Sequence, residues 1–151
     1  MKPIDYFHST VAQEFFYLFC GEQIGEGQFR QVYRHGTDPS LVVKFDLTNA
    51  GFHNVQEWLL WREAEDCGYD IRHWLAPCCA ISQSGSVLIQ QRTDSLPRAS
   101  LPAWVPSVLT DLKPDNWGLL DGRPVCHDYA LTLLYDKALF GKLRVRPAEW
   151  R

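Results

Sequence analysis

No apolar run in this sequence approaches the ~18–20 residues needed to cross a bilayer. The longest covers only residues 15–20. Basic residues do not outnumber acidic ones, and a formal net charge of -3 argues against nucleic acid or an anionic membrane as partner. The five cysteines include no Cys-x-x-Cys pair and the histidines show no zinc spacing, so neither a disulfide framework nor a structural metal is expected. Adjacent Cys78 and Cys79 lie in an apolar stretch and are expected to be buried and reduced. Residues 1–5 lack the apolar segment of a secretory signal, and with free thiols the expected location is cytoplasmic. There is no internal repeat and no low-complexity tract. What is present is a hydrophobic content of 46% with 13% aromatics, too rich for disorder and enough for one core in 151 residues.

Residues 10–19 suit a short helix with a Ser/Thr cap, although their aromatics also suit a strand. A glycine-bearing turn begins over 21–27. Strands are expected at 29–34 and 41–45 on either side of a turn cluster at 36–40, and the three pieces form an antiparallel meander. A helix is expected over 54–67, with Asn54 and Glu57 placed as a capping box. Segments 75–82 and 86–91 flank a hairpin turn. Segments 116–120 and 123–128 flank Asp121 and Gly122, the strongest two-residue hairpin signal in the chain. Prolines make 93–106 a linker or irregular cap, 131–140 reads as a closing helix ended by Gly141, and a basic tail follows. The order is that of an α+β chain with one main sheet.

Two short runs carry the chemistry: D-L-K-P-D-N at 111–116 and H-D-Y-A at 127–130. Phosphoryl transfer from a Mg-bound nucleotide needs a carboxylate to orient the attacking hydroxyl, a cation for the migrating charge, and hard oxygen donors for metal. Upstream, Gly25 and Gly27 precede Arg30 and Val32, and Lys44 follows in a β-branched strand. In isolation each of these has a bland reading, a hairpin turn or a solvated lysine; together they do not.

The set resembles the protein kinase-like superfamily over about residues 24–130. The resemblance implies an antiparallel N-lobe sheet with one main helix over about 19–92 and a much reduced C-lobe over 93–151, in a single domain. It implies ATP and Mg²⁺ as cofactors. Asp111 would be the catalytic base and Lys113 the γ-phosphate cation. Gly25, Gly27, Val32 and Lys44 would bind nucleotide, and Asn116 and Asp128 would hold metal. The carboxylate partner of Lys44 would be Glu57 or Glu63; the sequence leaves both open and leans to Glu57, as in compact phage-type kinase-like proteins. Residues 90–93 would be the hinge beside the base.

The chain also departs from the family pattern. Arg30 replaces the third glycine, Leu109 and Thr110 replace the His-Arg ahead of the base, and Ala130 replaces the last glycine of D-F-G. There is no room for the long helix of the larger lobe, for an activation loop or for a helical substrate platform. The resemblance therefore implies either a minimal phosphotransferase acting on a protein hydroxyl or a small molecule, or a pseudokinase-like module that binds and regulates a protein partner. Apolar surface exposed by the truncation would fit a homodimer. The tail with Lys142, Arg144, Arg146 and Arg151 reads as a solvated terminus or an edge strand rather than a nucleic-acid site.

Overall fold

The computed structural model describes residues 10–48, 52–132 and 142–151. The helix expected over 131–140 falls outside them save for Leu131 and Thr132, which are not helical. The described chain is α+β, with a five-stranded sheet and, among the described residues, two α-helices. It divides into two compact units, residues 1–55 with 79–92, and residues 56–78 with 93–151. No helix of the described residues is long and apolar enough to cross a membrane.

The first unit is built on the sheet. Helix α1 (Thr10–Phe19) leads into β1 (Cys20–Glu26), β2 (Arg30–His35) and β3 (Leu41–Asp46), and the sheet is completed by β4 (Cys78–Ile81) and β5 (Val87–Gln91) in the order β1-β2-β3-β5-β4. The segment expected to be only a turn at 21–27 is, up to Glu26, a strand with two register shifts, because its backbone pairs with β2 despite two glycines. The β-branched run of β3 takes the centre, where both faces are covered. Alternation along β2 and β3 separates two faces. Tyr33 and Phe45 meet Phe16 of α1 with ring centroids 5.7 and 5.9 Å away. The other face carries Arg30, Val32, Lys44 and Asp46. The outward side of α1 leaves Val11, Phe15 and Leu18 exposed.

Helix α2 (Phe52–Asp66) starts two residues before the expected position, so Asn54 does not cap it and Glu57 belongs to no capping box. The cap comes from β3 instead. One Asp46 oxygen accepts from Thr48 N and Oγ1 at 2.8 and 2.6 Å, and the other accepts from the backbone N–H groups of His53 at 2.7 Å and Asn54 at 3.3 Å. Asn54 Nδ2 returns a bond to Lys44 O at 3.1 Å. Burial pushes the Asp46 carboxyl up, but the hydrogen bonds from Thr48, His53 and Asn54 outweigh it and hold the group below its usual value. A lowered native pKa means stability that is present above the unfolded value of about 3.9 and lost as pH falls through the native one. Asp46→Ala should therefore cost about 1–3 kcal/mol at neutral pH. The gap to the parent should close below about pH 4 in acid unfolding. A gap independent of pH would mean that the carboxylate charge is not what holds the helix start.

The second unit holds most of the buried apolar side chains, among them Leu60, Trp61, Ile71, Leu75, Val105, Leu112, Trp117 and Val125. Strands β7 (Trp117–Leu120) and β8 (Arg123–Cys126) form the expected hairpin, with Asp121 and Gly122 at φ of 51° and 75°. Two consecutive positive φ values are what a type I′ turn demands. The supposed linker 93–106 ends in a strand, β6 (Trp104–Pro106), paired antiparallel with β9 (Val145–Pro147) in the basic tail. Prolines in both strands hid this pair from the sequence, because they mark strand ends as readily as linkers. The five cysteines form no disulfide; Cys78 is buried, but Cys79 is exposed, as alternation along β4 requires.

Candidate functional site

In the sheet unit, the sequence-selected residues share one cross-strand row. Gly25 on β1 lies opposite Val32 on β2, Val32 opposite Lys44 on β3, and Lys44 opposite Leu88 on β5. Lys44 is only 3% exposed, so it is not the solvated lysine that a half-buried strand would suggest. Arg30 and Asp46 are directly opposite each other two residues along on the same face, both buried, and Gln90 is fully buried. A sheet face with this many buried polar groups is unusual, because each must be satisfied at the cost of desolvation.

The β1–β2 turn is closed by Gly27 N–H donating to Arg30 O at 2.8 Å. It is fastened by Leu47 N–H to Phe29 O at 2.8 Å and by Phe29 stacked on His53 at 4.8 Å. A Cβ at Gly27 would meet only Arg30 O at 3.9 Å, so the fold itself would accept a side chain there. Arg30, whose carbonyl closes this turn, is buried.

In the second unit, the loop at 111–116 is organised around one carboxylate. Asn116 Nδ2 donates to Asp111 Oδ2 at 3.1 Å and to Asp111 O at 3.3 Å, and Lys113 Nζ lies 3.5 Å from Asp111 Oδ2. The local cause is Pro114, which starts a 3₁₀ turn over Pro114–Asn116 and folds the Asn back on the Asp. With its amide nitrogen committed to two acceptors, Asn116 has its carbonyl Oδ1 as the end suited to a hard metal ion. Asp111 and Lys113 are partly exposed, while Asn116 is nearly buried.

Asp128 is tied to the same loop. Asn116 O accepts from His127 N at 2.8 Å and from Asp128 N at 3.4 Å, and the Asp128 side chain is on the surface. The next residue is anchored. Tyr129 N–H donates to Glu57 Oε1 at 3.0 Å, and Tyr129 OH to Ala76 O at 2.7 Å. Glu57 is fully buried, whereas Glu63 is exposed. Ala130, beside this anchor, is buried.

Sequence reasoning assigned no role to His127 and placed Thr93 only in the expected hinge. His127 Nε2 is 2.8 Å from Asp115 O and Nδ1 2.8 Å from Thr93 Oγ1. A carbonyl only accepts, so Nε2 carries a proton and donates to Asp115 O. The imidazole thus bridges the loop to the segment after β5. The histidine directly ahead of Asp128 was the available signal, but nothing local pointed to Thr93.

Among the described residues no three His, Cys, Asp or Glu side chains cluster as a metal centre. Asn116 and Asp128 nonetheless offer hard oxygen donors of the kind Mg²⁺ takes, alongside substrate phosphates, when it arrives with a nucleotide. No protein-family model matches this chain, and no curated protein is similar to it.

Proposed function

We propose that this chain is a minimal ATP- and Mg²⁺-dependent phosphotransferase of protein kinase-like type. The observation that carries the reading is the loop in which Asn116 and Lys113 both bond or approach Asp111 while Asn116 O holds the backbone of Asp128. In this reading Asp111 takes the proton of an acceptor hydroxyl on a protein or small molecule. Lys113, on a flexible and exposed stem, meets the charge of the migrating phosphoryl group. Asn116 Oδ1 and the Asp128 carboxylate would hold Mg²⁺, which would supply positive charge for the nucleotide's phosphates. Gly25 and Gly27 would allow backbone to approach phosphate, Val32 would contact the base and Lys44 would pair with the inner phosphates, while Glu57 is the buried carboxylate of α2. The protein is proposed to act in the cytoplasm.

Thermal melting with ATP, with and without Mg²⁺, tests this. Ligand at about a hundred times its dissociation constant stabilises by ~2.7 kcal/mol, and Asp128→Ala should remove the Mg-dependent part. A shift that survives Asp128→Ala takes that residue out of the metal site. Buried Arg30 favours a second reading, a pseudokinase-like module for a protein partner, because a fixed cation stands where the family has a glycine. No shift with either ligand would select that second reading.

A further inference from the structure

We propose that residues 145–151 are a positioning element of the loop at 111–116. The tail touches the loop segment at three places that bracket Asp111, Lys113 and Asn116. Before Asp111, Arg146 Nη2 donates to Leu109 O at 3.3 Å. Just after it, Arg151 N–H donates to Leu112 O at 3.1 Å. Beyond Asn116, the Trp150 ring meets Trp117 edge to face at 5.3 Å and 87°.

The tail is itself held in place. Strand β9 pairs with β6, and the pairing continues on both sides through Ala148 N–H to Ala103 O and Ser107 N–H to Arg144 O, each 2.9 Å. Trp150 Nε1 donates to Pro102 O at 3.1 Å. A two-stranded ribbon is marginal alone. This one is seated by Val105, which is fully buried, and by Leu109 and Leu112, which are nearly so. The two leucines therefore put their side chains into the core and their carbonyls onto the tail. Leu109 and Leu112 fix the depth of the loop, and the tail fixes its lateral position.

The geometry of Asp111 follows from these ties. Its own polar partners, Asn116 and Lys113, lie in the same loop; Asn116 O is held by His127 and Asp128 N–H on one side, and the tail adds the ties at Leu109 and Leu112 on the other. Arg146 and Trp150 are positioning residues, since neither reaches a reacting atom. Any catalytic consequence rests on the phosphotransfer reading, whereas the ordering of the loop does not.

The experiment compares parent, Trp150→Ala, Trp150→Phe and Arg146→Ala as full chains, by peptide-resolved hydrogen exchange and by Mg-dependent ATP turnover. Trp150→Ala should exchange about tenfold faster across 109–117, with strands β2, β3 and β5 unchanged. Its kcat should fall about tenfold or more with KM for ATP within about twofold, since a displaced base loses rate rather than ground-state affinity. Trp150→Phe keeps the edge-to-face contact and should restore most of both. Should Trp150→Ala fail to fold, Arg146→Ala removes the bonds to Leu109 O and Pro147 O at a partly exposed side chain and reads the same peptides. Unchanged exchange across 109–117 in the folded variants overturns the proposal. Faster exchange with unaltered kcat would reduce the tail to a structural role. A parent without turnover would sink the phosphotransfer reading and leave the exchange comparison to decide on the tail.

Discussion

Asp111→Asn is expected to bind Mg-ATP as the parent does and to turn it over about 10²–10⁴-fold more slowly. The substitution is nearly isosteric. The carboxamide oxygen can still accept from Asn116 Nδ2, which now bonds Asp111 Oδ2 at 3.1 Å, so the loop keeps its shape. What disappears is the proton acceptor, together with the charge 3.5 Å from Lys113 Nζ. Binding and turnover should therefore separate cleanly, with the melting shift intact and the rate lost. Turnover at the parent rate would remove Asp111 as base. Loss of binding as well as rate would instead mean that its charge holds the site together.

Gly118→Ala is expected to destabilise the protein by about 3 kcal/mol, a fall in Tm of about 6–12 °C. A Cβ there would lie 2.2 Å from Thr93 Oγ1, 2.5 Å from Thr93 Cβ and 2.8 Å from Asp94 O. The last is backbone, so no rotamer change relieves it. Asp94 and Leu119 exchange two hydrogen bonds of 2.8 and 2.9 Å beside this contact, and pushing the strands apart breaks them. The same displacement carries Thr93 away from His127, whose other nitrogen faces Asp115 O. The substitution should thus loosen the loop at 111–116 as well as the fold, visible as faster exchange in both segments. A Tm within about 2 °C of the parent would show that β7 and the 93–94 segment separate more easily than this contact implies.

Much of the architecture was readable because its causes are local. Asp121 and Gly122 announce a tight hairpin by their tolerance of positive φ. The β-branched run at 41–45 announces a central strand. Residues 111–116 are close enough in sequence for Pro114 to fold Asn116 back on Asp111 without help from elsewhere. The failures share a different cause. Asn54 and Glu57 matched a capping box, yet Asp46 caps α2, because a carboxylate at the end of β3 reaches the free N–H groups first. Glu57, released from that role, is buried against Tyr129 N–H, a partner 72 positions away. The tail, read as a solvated terminus or an edge strand, is a strand, but its partner is a stretch that read as a linker or irregular cap.

The sequence by itself determined the alternation, the turns and the short-range chemistry of the 111–116 loop, since these depend on dihedral preferences and on side chains a few bonds apart. Only the tertiary structure decided that Gly25, Val32 and Lys44 share a row, which carboxylate caps the helix, what Glu57 and His127 hold, and that residues 145–151 reach the loop. Each of those contacts joins residues from separate elements. Their pairing is set by register and by the burial of polar groups, and neither leaves a periodic trace along the chain.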